Sequence, residues 1–159
     1  MDNIRETIRQ FMMAISKLEK TYEARSSKLG SQSSEFWLMY TLDDGQPHSQ
    51  KQICDEWGFP KTTINSTIKK CETAGYLTLL PIPGKRREMN ICLTENGKAY
   101  AKQLLDFFHQ AESRAMEDTL KLYSAEFINA VKYFNKCLAA ELDRGIESND
   151  KQRNNICGN

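Results

Sequence analysis

Two residues, Gly58-Phe59, are all the chain allows between two segments patterned as helices, and so short a break leaves few ways to arrange them. The first segment, QKQICDEW, follows Ser49 as its cap, turns Ile53, Cys54 and Trp57 inward, and is stopped by Gly58. Pro60 opens the second at a position where its missing N–H removes no bond. In PKTTINSTIKKCETA, Ile64, Ile68 and Cys71 recur at i, i+4 and i+7 and make a buried face. Gly75 ends that helix and leads into a short strand, YLTLLPI. PGKRR forms a hairpin tip, and EMNICLT returns with Met89, Ile91 and Leu93 on one face. Two helices joined by a tight turn and followed by a hairpin predict a winged helix-turn-helix.

The flanks extend the pattern. Ile4, Ile8, Phe11, Met12, Ile15, Leu18 and Tyr22 make one apolar stripe over residues 4–28. After Leu29-Gly30-Ser31, Ser34 is placed to cap a helix holding Phe36, Trp37, Met39, Tyr40 and Leu42, which Asp43-Asp44-Gly45-Gln46-Pro47 ends. Thr94 is placed to cap a long helix from Glu95 to about Leu122. A last helix, SAEFINAVKYFNKCLAAEL, lines up Phe127, Val131, Phe134, Leu138 and Leu142. The expected class is mainly α with a small β part (α+β): a winged module over residues 31–94, with dimerisation helices over 1–30 and 95–146. Residues 147–159 read as a polar tail without regular structure. The two terminal stripes carry more apolar surface than a small winged module could cover. They call for a second copy of the chain, or else for a closing helix pair within one monomer.

Composition narrows the function. With 40% hydrophobic and 27% charged residues in 159, the chain reads as one ordinary globular domain. No apolar run approaches the ~18 residues that span a bilayer, and MDNIRETIRQF lacks the apolar core of a signal peptide. A cytoplasmic protein without membrane contact is expected. Five cysteines (54, 71, 92, 137, 157) without a CxxC pair suggest neither a zinc site nor a disulfide framework. Two unrelated histidines, His48 and His109, and the absence of GxSxG, HExxH or P-loop patterns speak against an enzyme. No catalytic residue, cofactor or metal is expected.

The charge is placed unevenly. Net charge is only +1, yet residues 50–102 hold nine basic against five acidic residues, while the remainder holds thirteen against sixteen. On the second helix of the pair, Lys61, Thr62, Thr63, Asn65, Ser66 and Lys69 occupy the faces that are not buried. Short hydrogen-bonding side chains among cations suit base edges and phosphates, whereas a plain solvated face would favour Glu and Lys pairs over helix-poor Thr and Asn. Lys85, Arg86 and Arg87 at the hairpin tip either blunt an exposed sheet edge or touch a polyanion, and the agreement of helix and hairpin favours double-stranded DNA. The competing reading is a winged module that binds protein without DNA.

Through FPKTTINSTIKKCETAGYL and KRREMNICLTENG, with the helix order on either side, the sequence resembles the MarR (multiple antibiotic resistance regulator) family of bacterial winged helix-turn-helix transcription factors. The resemblance covers about residues 4 to 146. In the family an Asp-x-Arg motif precedes a Leu-Thr-x-x-Gly sequence by eight residues. Here Leu93-Thr94-Glu95-Asn96-Gly97 fits, Arg87 falls on the motif Arg, and Lys85 takes the place of the Asp. The resemblance implies Arg87 as a minor-groove residue, with Lys85 and Arg86 on the backbone. It also implies a homodimer of interleaved terminal helices acting as a repressor on a pseudo-palindromic operator. The effector it implies is a small phenolic or lipophilic molecule, held where the terminal helices meet the winged module. Phe11, Met12, Trp37 and Tyr40 are the candidate walls, unless they simply build core. Part of the family responds instead to oxidants through cysteine, but the peroxide-sensing subgroup carries its thiol in the first helix, and no cysteine lies there in this chain.

Overall fold

The computed structural model describes residues 2–86 and 88–156. In chain order its elements are α1 (Asp2–Lys28), α2 (Ser33–Leu42), β1 (His48–Ser49), α3 (Gln50–Trp57), α4 (Lys61–Thr73), β2 (Leu77–Pro81), β3 (Met89–Leu93), α5 (Glu95–Leu122) and α6 (Glu126–Ile156). The chain divides into two compact units, Met1–His109 and Gln110–Asn159, with the boundary inside α5. Among the described residues no helix is long and apolar enough to cross a membrane.

Local chemistry sets the helix ends of the first unit. The Ser49 hydroxyl accepts from the Gln52 N–H while the Gln52 side chain accepts from the Ser49 N–H, a reciprocal cap on α3. Gly58 closes α3 in the left-handed region at φ 69°, where a Cβ would be strained. Pro60 is the residue just before α4 rather than its first turn, at φ −59° and ψ 130°. Its fixed φ and absent N–H suit that flanking position equally. Ser34 does not cap α2. The helix begins one residue earlier and Gln32 flanks it without a side-chain cap, which leaves the Ser34 hydroxyl to receive a bond from Thr67 of α4.

The sheet has a strand that hairpin patterning alone does not reveal. β1 pairs antiparallel with β3 on the side away from β2, so the order is β1-β3-β2. His48 lies in β1 opposite Ile91. Two residues carry too little periodicity to be seen as a strand. β2 and β3 pair from Leu77↔Leu93 to Pro81↔Met89, which turns Ile91 into the core and leaves Met89 exposed.

The core of this unit is built from Phe36, Leu38, Met39 and Leu42 of α2, Ile53 of α3, Ile64, Ile68 and Cys71 of α4, Leu77 and Ile91 of the hairpin, and Ala101, Leu104, Leu105 and Phe108 of α5. The first half of α5 therefore completes the winged module, and a boundary at residue 94 would cut through its core. Trp57, expected inward, is 38% exposed and lies instead against Trp37, Tyr40 and Phe59.

The terminal helices keep their apolar stripes outside. On α1, Ile4, Ile8, Met12 and Leu18 are exposed, Ile4 by 70%. In the second unit Phe127, Val131, Leu138 and Leu142 are exposed along α6. That helix runs on to Ile156, past the end near residue 146 that composition suggests. Its last turns are polar, and a helix that has already nucleated adds such residues at little expense.

Candidate nucleic-acid interface

α4 presents its polar residues because Ile64, Thr67, Ile68 and Cys71 take the buried positions. Lys61, Thr62, Thr63, Asn65, Ser66 and Lys69 are all exposed, but they do not share one line. At about 100° per residue, Lys61, Asn65 and Lys69 form one flank, Thr62 and Ser66 the outermost line, and Thr63 the opposite flank. The first flank faces a groove of about 650 Å³ between α3, α4 and the hairpin, to which Lys61, Asn65 and Lys69 contribute and the other three do not. Ile68, Leu79 and Ile91 also line it, with Lys51 adding a third cation from α3 and Asp55, Glu72 and Glu88 adding acids. Lys51 carries no motif, and its sign is hidden among the acids that follow it in QKQICDEW. Only the cap at Ser49, which orients the first turn of α3, could have placed it.

The relation of the two helices is held by a polar bond as well as by the core. Gln50 Nε2 donates across the turn to the Lys61 carbonyl at 3.1 Å. At the far end of α4, Thr94 serves two partners at once. Its hydroxyl donates to the Gly75 carbonyl at 2.6 Å and accepts from the Gly97 N–H at 3.0 Å. The stop of α4, the return of β3 and the start of α5 thus meet at one side chain, which is the physical content of the Leu-Thr-x-x-Gly pattern.

At the hairpin tip Gly84, at φ 77°, allows the turn that Lys85 closes by donating its N–H to the Ile82 carbonyl at 3.0 Å. Lys85 Nζ lies 2.7 Å from Glu88 Oε2. The bond from Lys85, with a smaller effect of Lys51, holds the Glu88 carboxyl below its ordinary range. Lys85, where the family motif has Asp, is thus paired with an acid within the tip. Arg86 is exposed. Arg87 lies outside the described residues.

The aromatic candidates are brought together only in part. Trp37 and Tyr40 pack edge to face with centroids 5.4 Å apart, and Tyr22 of α1 meets Trp37 at 4.9 Å. Phe11 is half-buried and Met12 exposed on α1. Neither the groove beside α4 nor a second cleft of about 520 Å³, between the α2–β1 turn and α5, is lined by any of these four. Cys71 is buried, and burial, helped by the nearby Glu35 carboxylate, pushes its thiol up to about 11. A thiol held neutral in this way is a poor nucleophile.

Capped α3, a three-residue turn, an outward polar α4 and a hairpin closing on β1 make this a winged helix-turn-helix protein. The MarR family model matches residues 29–88. The regulator PecS of Dickeya dadantii is 30% identical over 92 residues, 56% of this chain and 55% of that protein, so the likeness spans about half the length of the curated relative. The fold likeness is wider. NMB1585, a MarR family regulator from Neisseria meningitidis, superposes with a TM-score of 0.69 at 21% identity, over 90% of this chain and 98% of its own. A mutant MarR from E. coli complexed with operator DNA gives 0.60 at 16% identity, over 86% and 95%.

Proposed function

We propose that the protein is a sequence-specific DNA-binding transcriptional regulator that acts as a homodimer, most simply as an effector-responsive repressor of a pseudo-palindromic operator. The observation that carries this reading is the exposed polar face of α4, with Lys61, Asn65 and Lys69 along a groove shared with the wing. Such a face places an amide where it reaches a base edge, with cations on either side to meet phosphates. In this reading Asn65 reads a base, Thr62, Thr63 and Ser66 make shorter contacts, and Lys61 and Lys69 meet the backbone. Arg87 enters the minor groove by analogy with the family motif, with Arg86 and Lys85 on adjacent phosphates.

Two further features support the homodimer. The apolar side chains exposed along α1 and along α6 need a cover, and a second copy supplies one. A dimer also offers two recognition helices for successive major grooves ~34 Å apart. The effector reading rests on the aromatic group of Tyr22, Trp37, Tyr40 and Trp57 as a wall for a phenolic or lipophilic molecule, with Phe11 and Met12 of α1 as the further candidates. The test is selection of duplexes from a random-sequence library at low salt, followed by gel shift of the retained sequences. Retention of a common, two-fold related motif is the expected result. A folded protein that retains no duplex would leave the winged module as a protein-binding one.

A further inference from the structure

Ile64, Ile68 and Cys71 hold α4 to the core by apolar contacts, which are individually non-directional. In this chain a carboxylate is buried against that helix. Glu35, in the first turn of α2, is 7% exposed, and each of its oxygens is used by a different element. Oε2 accepts from Lys70 Nζ of α4 at 2.7 Å, and Oε1 accepts from the Tyr100 hydroxyl of α5 at 2.6 Å. Burial, then the Glu35 carboxylate, push the Tyr100 phenol up, so it stays a donor. Tyr100 is itself stacked on Tyr76, just after α4, with centroids 4.3 Å apart and rings 4° from parallel. One residue before Glu35, the Ser34 hydroxyl takes a bond from Thr67 of α4 at 3.0 Å.

Lys70 and Thr67 lie on the α2 side of α4, across the helix from the flank that carries Asn65. We infer that Glu35 is a positioning residue for DNA recognition: its carboxylate joins α4 to α5 and fixes the rotation of α4, and with it the direction in which Asn65 points. Charge-assisted hydrogen bonds are short and directional, and a buried carboxylate without a partner is costly enough that the arrangement tolerates little rotation. The inference rests on the DNA-binding reading above. It adds a residue that touches no DNA and that carries no recognisable motif.

The experiment compares wild type with Glu35→Gln, Lys70→Met and the double variant. The probes are a duplex that wild type retains from a random-sequence library and an unselected duplex of equal length. Each is titrated at several salt concentrations, with thermal melts alongside. Glu35→Gln is expected to lower affinity for the selected duplex roughly tenfold while affinity for the unselected one changes less than about twofold. Lys70→Met is expected to do the same without changing the salt slope, since Lys70 is engaged with Glu35 rather than with phosphate. The double variant should be no worse than either single one, because both remove one shared bond. A wild-type affinity ratio in folded Glu35→Gln, equal loss on both duplexes, a flattened slope for Lys70→Met, or losses that multiply in the double variant would each overturn the inference. If Glu35→Gln does not fold, Lys70→Met carries the same comparison, because its side chain is 57% exposed. If wild type retains no duplex, the DNA-binding reading falls and takes this inference with it. Retention by wild type with an unchanged ratio in the variants removes only the inference.

Discussion

Gly97 stands where the first turn of α5 passes the Tyr76 carbonyl, and a Cβ built there would fall inside that oxygen's contact distance. The obstacle is backbone, already bonded to the Thr94 N–H at 3.0 Å, so neither side can yield cheaply. Gly97→Ala is expected to destabilise the fold by ~1–3 kcal/mol, measured by chemical denaturation, and an unchanged midpoint would mean that α5 can shift without loss. Thiol chemistry gives a second test at this scale. Cys71 is buried with its thiol raised, whereas Cys137 is exposed. A thiol reagent near neutral pH is expected to modify Cys137 before Cys71, and to reach Cys71 only as the protein unfolds. Rapid labelling of Cys71 in the folded state would reopen a redox role for α4. Asn65→Ala should weaken binding to a selected duplex by ~1–3 kcal/mol while sparing unselected DNA. Equal loss on both would make Asn65 a backbone contact.

At the scale of elements the hairpin decides most. Each phosphate neutralised adds ~0.9 to the slope of log affinity against log salt. In a dimer with one contact per wing, Arg87→Ala should flatten the slope by roughly two units, with melting unchanged. An unaltered slope would return the tip to a solvated sheet edge. Lys85 is less free than its exposure suggests, since Glu88 holds it at 2.7 Å. Glu88→Gln should therefore strengthen binding, by releasing Lys85 and by removing an acid from a groove that already holds Lys51, Lys61 and Lys69. Weaker binding would show that the pair serves to shape the tip. The element order was legible from local signals: the Ser49 cap, the Gly58 stop, the Thr94 cap and the period of Ile64, Ile68 and Cys71 each act within a few residues. β1 was not legible, because a two-residue strand is made by its partner β3 rather than by its own pattern. The first turn of α2 also differed, because the Ser34 hydroxyl is engaged by Thr67 from 33 residues away.

For the whole molecule the first quantity to measure is mass. Light scattering at micromolar concentration should give about twice the 18.3 kDa of one chain, since the exposed stripes of α1 and α6 need a partner. A folded monomer of single mass would remove the homodimer from the proposed function. The stripes themselves were plain in the sequence, because helical periodicity is a property of spacing alone. Their exposure was not, since it depends on what the rest of the chain leaves uncovered. The same division holds across the protein. Helices, turns and the polar composition of α4 follow from the sequence by itself, because caps, glycine stops and apolar period are set by neighbours in the chain. Which α4 residues line the groove with Lys51, and how Glu35 comes to bond both Lys70 and Tyr100, were decided by the tertiary structure. Those contacts depend on the rotation of one element against another, which core packing and the bonds between elements set together.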